Sequence, residues 1–218
     1  MNINMNGNLE RIIEYLEKNN LDYQTDHPVE SYLTIGIGGP ARMLIPVDSE
    51  SQLRDLLAFL YGHGIGIKKG PAVVLLGGGS NVVFPDRSPD MIVVVNRTGA
   101  VERLEPGLIR VNSGMMISDL MTWAGENGAG GMDFLAGIPG TLGGAAAVNA
   151  GAFGIAIASI LEKAEIVTLD GQVKMVENGY FDFTYRNSKF KYGKEVIINV
   201  FLRVQEQEPQ TVKAAIKD

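Results

Sequence analysis

The sequence lacks cysteine altogether and contains only two histidines among its 218 residues. Without cysteine the chain can form no disulfide, no thiolate metal site and no cysteine nucleophile. His27 and His63 both lie in polar or glycine-rich surroundings and are predicted at the surface. A zinc site built on histidines and a serine–histidine catalytic pair are therefore disfavoured, and we expect no metal.

A surplus of positive charge is also missing. The 19 lysines and arginines are outnumbered by 25 aspartates and glutamates, which leaves a formal charge of -6. This balance disfavours nucleic acid or an anionic membrane as the main partner. No apolar run approaches the length of a membrane span, and the polar stretch from Met1 to Asn8 has no signal-peptide core. We therefore expect a cytoplasmic protein that binds neither nucleic acid nor membrane.

Glycine, by contrast, is abundant and concentrated. Nine of the 27 glycines lie between residues 128 and 154, interleaved with apolar residues such as Ile138 and Phe153. Glycine costs backbone entropy and supplies no side chain, so this density indicates sharp turns or close approach of the backbone to something else. Two interpretations stay open: a surface with free amides for a large flat ligand carrying phosphates, or tight backbone packing without a ligand.

A second glycine run follows the predicted buried strand at 73–76. It reads Gly77-Gly-Gly-Ser-Asn81, and no Gly-Lys-Ser/Thr follows, so it is not a P-loop. Three glycines with two short polar side chains predict an anion-binding nest, and the alternative is a plain tight turn. Gly36, Gly38 and Ala41 formally satisfy the dinucleotide fingerprint, but strand-like residues follow where that motif needs a helix.

Hydrophobic spacing and turn residues predict a mixed α+β chain. The predicted helices lie at 8–19, after a capping box at Ser49 and Gln52, and at 117–126, with a marginal one at 211–218 after a polar linker. The leucines 53, 56, 57 and 60 form a stripe that we expect to be buried in the second helix, and we expect Gly128 to end the third. The predicted strands lie at 42–47, 73–76, 82–84, 91–95, 101–104, 108–112, 164–169, 172–176 and 195–204, with a hairpin turn at 105–107. This order divides the chain into an α/β unit over 1–97, a mostly antiparallel unit over 98–204, and a remainder, 205–218, that would link to a further domain.

Four segments together resemble one family. They are Thr34-Ile-Gly-Ile-Gly-Gly-Pro-Ala41, Leu76-Gly-Gly-Gly-Ser-Asn81, Gly137-Ile-Pro-Gly-Thr-Leu-Gly-Gly-Ala145 with Asn149-Ala-Gly-Ala152, and Tyr185-Arg-Asn-Ser188. Their order and approximate spacing are those of UDP-N-acetylenolpyruvoylglucosamine reductase, the flavoenzyme of bacterial peptidoglycan precursor synthesis. Each segment alone is weakly specific, whereas the four in order are specific.

The resemblance implies a fold and a cofactor. The family has the FAD-binding fold of the vanillyl-alcohol-oxidase (PCMH) type, an α+β architecture of two α/β subdomains with non-covalent FAD between them. The FAD pyrophosphate is then received by the first glycine run, namely Gly77, Gly78, Gly79, Ser80 and Asn81. The flavin and ribityl chain are lined by the second run, namely Ile138, Pro139, Gly140, Thr141, Gly143, Gly144 and Ala145.

The resemblance also implies a reaction. NADPH reduces FAD, which then transfers hydride to the enolpyruvyl double bond of a UDP-sugar to give UDP-N-acetylmuramate. Arg186 matches the family's substrate-side arginine, whose guanidinium suits a carboxylate or enolate oxygen. Tyr185 and Ser188 are implied as substrate-binding residues. From the residues alone, Arg186 could equally form a surface ion pair that closes a hairpin, while Tyr185 only packs and Ser188 only caps the turn.

The sequence departs from the family in one respect. The family's C-terminal domain supplies a proton-donating serine and a late glutamate, and neither segment occurs here. Without that general acid we expect the chain alone to be at best very weakly active. Two other functions stay open: a non-catalytic FAD- or nucleotide-binding module derived from the family, and a flavin oxidase or dehydrogenase of the wider superfamily that acts on another substrate.

Overall fold

A computed structural model describes residues 5–66, 71–86 and 90–217. The chain forms two compact units, which we describe separately. The first contains the described residues up to Arg97 together with Val167–Val173, and the second contains Thr98–Ile166 and the residues from Lys174 onward.

A four-stranded sheet and two helices make up the first unit. In chain order the elements are α1 (Met5–Lys18), β1 (Gln24–Pro28), β2 (Pro40–Val47), α2 (Glu50–Gly62), β3 (Ala72–Leu76) and β4 (Met91–Asn96). The strands lie in the order β1-β2-β4-β3. β1 is antiparallel to β2, whereas β2 and β3 both run parallel to β4. Central strand β4 is buried along almost its whole length, and edge strand β3 is mostly half-buried.

Local sequence signals account for most of this unit. Ser49 caps α2, because its side chain accepts a hydrogen bond from the Gln52 amide at 3.3 Å, and the predicted leucine stripe of that helix is buried. The predicted strand at 82–84 is wrong, since these residues form no strand and Val83 is 75% exposed. Strand β1 was missed because its residues are polar and its one strand neighbour, β2, begins more than ten residues later.

The second unit contains a five-stranded sheet covered by short helices. Its elements are β5 (Val101–Glu105), β6 (Leu108–Asn112), α3 (Ile117–Asn127), β7 (Ala129–Gly130), α4 (Leu142–Ala147), β8 (Gly151–Ala152), β9 (Ile155–Ala156), β10 (Leu161–Val167), β11 (Val173–Glu177), β12 (Val196–Arg203), β13 (Gln205–Glu206) and α5 (Pro209–Lys217). The large sheet has the order β11-β10-β12-β6-β5. Its core brings Ile109 and Val200 of the sheet together with Leu120 of α3 and Leu142 of α4.

The last residues of the chain differ in part from the sequence-based expectation. Instead of a polar linker before the last helix, β13 pairs with β7. The helix predicted from residue 211 is present as α5, which begins at Pro209, has nine residues and contacts α3. Val212 of α5 is buried in the core, so tertiary packing stabilises a helix that would be marginal in isolation. The predicted end of this helix at Asp218 lies outside the described residues. Among the helices that are described, none has the length and apolar character needed to span a bilayer.

Candidate functional site

The first glycine run lies in the loop after β3, in the first unit. Gly79 has a φ of +62°, and a Cβ there would meet the carbonyl oxygen of Tyr32 at 2.0 Å. The Gly79 carbonyl accepts a hydrogen bond from the Thr34 amide at 3.1 Å. Packing of this loop against residues 32–34 therefore requires glycine at position 79, whatever ligand binds nearby.

Other amides of the same run are available to a ligand. Within the described part of the chain, backbone hydrogen bonds outside helices and strands use neither the Gly78 nor the Asn81 amide as a donor. Asn81 is exposed, and Gly77, Gly78 and Ser80 are half-buried. Amides on a tight loop after a parallel strand favour phosphate oxygens, so this segment fits the pyrophosphate of FAD.

Exposed aliphatic side chains flank this loop. Ile35 and Ile37 are 54% and 58% exposed, and Val82 and Val83 follow the glycine run on the other side. The hydrogen bond between Thr34 and Gly79 joins the two segments that carry them. Apolar surface beside free amides suits a ligand that combines a flat ring with phosphates, as FAD does.

The second glycine run belongs to the second unit and contains α4, a helix that the sequence did not predict. Thr141 caps it, and its hydroxyl accepts a hydrogen bond from the Gly144 amide at 3.4 Å. The amides of Leu142 and Gly143 donate to Met115 and Ser113 carbonyls at 2.8 and 2.7 Å. The expectation of free amides is therefore wrong for the first turn of α4, because bonds to residues 113–115 satisfy them.

Gly143 and Gly144 have different reasons to be glycine. A Cβ at Gly143 would meet Ser113 Cβ at 2.7 Å, so close packing against the end of β6 excludes any side chain. A Cβ at Gly144 would make only an ordinary 3.5 Å contact with Thr141, and Gly144 is exposed. Alanine would stabilise a helix at that position, so the chain's own packing does not explain this glycine. Close approach of a flat ring to the backbone would explain it, and Gly144 therefore fits a contact with the flavin.

The remaining residues of the run support this surface. Gly140 is buried with a φ of +105°, and its carbonyl accepts a hydrogen bond from the Ile117 amide at 2.9 Å. Ile138 packs against the core, Pro139 is exposed, and Ala145 is buried. The segment thus presents backbone and small side chains on a rigid support.

Tyr185 and Arg186 form a two-residue turn in the same unit. Thr184 and Asn187 exchange backbone hydrogen bonds of 3.1 and 3.2 Å at its base, and Arg186 has a φ of +54°. Tyr185 is 91% exposed, and Arg186 is also exposed. Both side chains are therefore presented to solvent from a tightly closed turn.

The Arg186 guanidinium has no acidic partner among residues 5–66, 71–86 and 90–217. Within this part of the chain, the interpretation of Arg186 as a surface ion pair that closes a hairpin finds no support. A fixed, solvated guanidinium can bind a carboxylate with two parallel hydrogen bonds.

Ser188 is buried below the turn. Its hydroxyl donates to the Ala147 carbonyl at 2.6 Å and accepts from the Phe190 amide at 3.1 Å. Asn149, to which sequence reasoning gave no role, donates to the Thr184 carbonyl at 2.9 Å. These bonds bring the Tyr185–Arg186 turn to the C-terminal end of α4, and so to the second glycine run.

A cluster of Tyr180, Lys189 and Glu195 joins the two ends of the segment that contains the Tyr185–Arg186 turn. The Lys189 ammonium lies 3.2 Å from Glu195, and Tyr180 donates its hydroxyl proton to that carboxylate at 3.0 Å. Burial acts to lower the pKa of Lys189, but its hydrogen bonds to Tyr180 and Glu195 and the attraction of Glu195 outweigh it and raise the pKa. Lys189 is therefore charged at neutral pH and anchors the loop. Within the described ranges, no cluster of three or more histidine, aspartate or glutamate side chains could hold a metal ion.

Comparison with known proteins identifies the family. A model of the FAD binding domain family matches residues 41–177. UDP-N-acetylenolpyruvoylglucosamine reductase from Lactobacillus delbrueckii subsp. bulgaricus is 31% identical over 197 residues, which are 90% of this chain and 64% of the relative. The protein of that name from Chlamydia felis is 33% identical over 81% of this chain and 57% of the relative. The chain thus spans less than two thirds of these relatives.

Solved structures agree with the sequence relatives. The crystal structure of UDP-N-acetylenolpyruvylglucosamine reductase from Thermus caldophilus has a TM-score of 0.68 and 25% identity, covering 90% of this chain and 66% of that one. An alkyldihydroxyacetonephosphate synthase has a TM-score of 0.55 and 16% identity over 78% of this chain and 33% of its own, which shows the fold alone. The predicted family resemblance and the vanillyl-alcohol-oxidase type of fold are confirmed. The chain belongs to the FAD binding domain family, and its cofactor is FAD.

Proposed function

We propose that this chain is the FAD-binding part of an enzyme that reduces UDP-N-acetylglucosamine enolpyruvate to UDP-N-acetylmuramate with NADPH. The curated relatives that match most of the chain carry the name of that reductase. The reaction belongs to peptidoglycan precursor synthesis, and the protein would act in the cytoplasm on a nucleotide sugar.

The observation that carries the proposal is the placement of Arg186. Its turn is bonded through Ser188 to Ala147, the last residue of α4, and α4 carries Gly143 and Gly144. Among the described residues its guanidinium has no partner. A cation displayed beside the flavin-facing segment is what a carboxylate-bearing substrate requires.

Residues of the chain have distinct roles in this proposal. Bound FAD would accept hydride from NADPH and deliver it to the substrate double bond. Arg186 would bind the substrate carboxylate and stabilise the negative charge that develops beside it. Tyr185 would contact the substrate through its exposed ring, and Ser188 would act by holding the turn.

The cofactor would be bound without a covalent link. The chain has no cysteine, and neither histidine lies in the two glycine runs. The amides of Gly78 and Asn81, together with Gly77, Gly79 and Ser80, would bind the pyrophosphate. The flavin and ribityl chain would lie against the second run, namely Ile138, Pro139, Gly140, Thr141, Gly143, Gly144 and Ala145.

The test follows flavin absorbance in the purified chain after loading with FAD. NADPH should bleach the flavin band, and the enolpyruvyl UDP-sugar added without oxygen should restore it. Arg186→Gln should leave bleaching by NADPH unchanged and slow the restoration by about 100-fold, because a charge-stabilising contact is lost. Because only weak activity is expected of this chain alone, the reference is UDP-N-acetylglucosamine, which lacks the enolpyruvyl group. A bleached flavin that the enolpyruvyl UDP-sugar reoxidises no faster than this reference would contradict the proposal and favour a non-catalytic FAD-binding module.

A further inference from the structure

Asn149 ends α4 in a position that favours glycine. It has a φ of +49°, its amide donates to Ala146 at 3.2 Å, and the Ala150 amide donates to Ala145 at 2.8 Å. These two bonds form a Schellman motif with Asn149 at the left-handed residue, where glycine is the usual choice. Glycine is frequent in this segment, so the presence of asparagine rather than glycine at position 149 requires a separate explanation.

The side chain of Asn149 supplies that reason. It is 8% exposed, and both ends of its amide make hydrogen bonds to distant backbone. Nδ2 donates to the Thr184 carbonyl at 2.9 Å, and Oδ1 accepts from the Ala158 amide at 3.2 Å. Glycine would satisfy the conformation of α4 but would remove both bonds, so the Ala158 amide would lose its acceptor and the Thr184 carbonyl would keep only its bond within the turn.

Thr184 is the residue that closes the turn carrying Arg186. It exchanges two backbone hydrogen bonds with Asn187, so a bond to its carbonyl acts directly on the turn. Ser188 provides a second attachment on the other side of the turn, through Ala147. Two attachments, to Ala147 and Asn149 at one helix end, define the orientation of the turn, which a single bond would leave free to pivot.

We propose that Asn149 is a positioning residue that sets the Arg186 guanidinium relative to the flavin-facing segment through its bond to Thr184. The catalytic consequence rests on the proposed function, whereas the structural part does not. Asn149 need not touch the substrate or FAD, since it acts through the turn.

Two variants separate the side chain from the backbone conformation. Asn149→Gly keeps the left-handed conformation without strain and removes both bonds. Asn149→Asp keeps an acceptor for the Ala158 amide, but an ionised carboxylate cannot donate to Thr184. Asn178→Asp is the matched control, because Asn178 is half-buried and donates to the backbone carbonyls of Ala158 and Leu161, whereas its side chain makes no bond to the turn at 184–187, all of which the structure describes.

Trypsin cleavage after Arg186 reports the order of the turn directly. In the FAD-loaded chain, both Asn149 variants should raise the cleavage rate at this bond by about tenfold, because opening of the turn becomes easier. Asn178→Asp should not raise it beyond what its own loss of global stability explains. An unchanged cleavage rate in Asn149→Asp would overturn the proposal.

Kinetics test the catalytic part separately. Asn149→Asp should leave flavin bleaching by NADPH unchanged and slow reoxidation by the enolpyruvyl UDP-sugar by about tenfold, with no further loss in an Arg186→Gln background. Additive losses in the double variant would overturn the positioning role. If the parent chain never reduces the substrate, the proposed function fails, and the trypsin result still decides whether Asn149 orders the turn.

Discussion

The hydroxyl of Ser188 donates a 2.6 Å hydrogen bond to the carbonyl oxygen of Ala147, 41 residues earlier in the chain. Ala147 is the last residue of α4, where a carbonyl has no partner within the helix. The bond joins the helix of the second glycine run to the turn that presents Arg186. We therefore expect its loss to lower the stability of the chain as well as to affect the placement of Arg186.

Ser188→Ala should lower the free energy of unfolding by about 1–3 kcal/mol, because the Ala147 carbonyl and the Phe190 amide each lose a buried partner. Urea denaturation measures the loss. Ser159→Ala is the matched control, since Ser159 also donates to a backbone carbonyl, that of Ala156 at 2.7 Å, but is exposed. Equal losses in the two variants would contradict a special role for the buried bond.

Gly79→Ala should destabilise the chain more than Gly64→Ala. Both glycines have positive φ, +62° and +71°, so both variants incur about 1 kcal/mol of backbone strain. Only at Gly79 would the new Cβ meet backbone, the Tyr32 oxygen, whereas Gly64 has open space. Urea denaturation should show the larger loss of stability for Gly79→Ala, and FAD titration should show weakened FAD binding for Gly79→Ala alone. Normal FAD binding in that variant would contradict the assignment of this loop to the pyrophosphate.

Gly144→Ala should separate cofactor binding from stability. Alanine in the helix should raise the free energy of unfolding of the FAD-free chain by roughly 0.5–1 kcal/mol, because the contact with Thr141 is ordinary. FAD affinity should nevertheless fall, since a methyl group would separate the ring from the backbone. Gly143→Ala, in contrast, should destabilise the FAD-free chain through its clash with Ser113. Unchanged affinity in Gly144→Ala would remove that residue from the flavin surface.

The stability of the chain should fall at alkaline pH because of Tyr61. Burial in α2 raises the pKa of Tyr61 from 10.0 to about 12. Between these values the unfolded chain releases a proton that the folded chain retains, so the contribution is complete below pH 10 and is lost as pH rises.

The loss amounts to about 2–3 kcal/mol over the two-unit difference in pKa. Urea denaturation at about pH 9 and pH 11 should show about half of this loss, roughly 1–1.5 kcal/mol, because pH 11 lies midway between the two pKa values, and Tyr61→Phe should show a flatter dependence over the same range. An equal loss of stability in the parent chain and in Tyr61→Phe over this range would contradict the assignment of the alkaline destabilisation to Tyr61.

Elements with local signals were predictable from the sequence. The cap at Ser49 with its leucine stripe, the end of α3 at Gly128, and the turn at Gly107 between β5 and β6 were all predicted and are confirmed. In each case neighbouring residues along the chain carry the whole signal, through capping, spacing or positive φ. The order of the four motifs likewise sufficed to identify the family.

Elements that depend on distant partners were missed or only weakly predicted. Strand β1 contains polar residues and, among the described strands, pairs with β2 alone. Helix α5, predicted only as a marginal helix at 211–218, is stabilised by its contacts with α3. Helix α4 begins where the amides of Leu142 and Gly143 bond to residues 113–115. No local pattern records such contacts, because they form only after folding has brought together segments that lie from about 12 to about 90 residues apart in the chain.

The sequence by itself determined the family and, through that resemblance, the cofactor FAD, since the four motifs and their order are read directly along the chain. Only the tertiary structure decided what the individual glycines and polar residues do. Gly79 and Gly143 are required by the chain's own packing, whereas Gly144 is not. The side chains of Ser188 and Asn149 form hydrogen bonds to backbone carbonyls of the same unit, and these bonds orient the turn that carries Arg186. That division follows because a motif specifies which groups are present, while folding decides which of them remain available to a ligand.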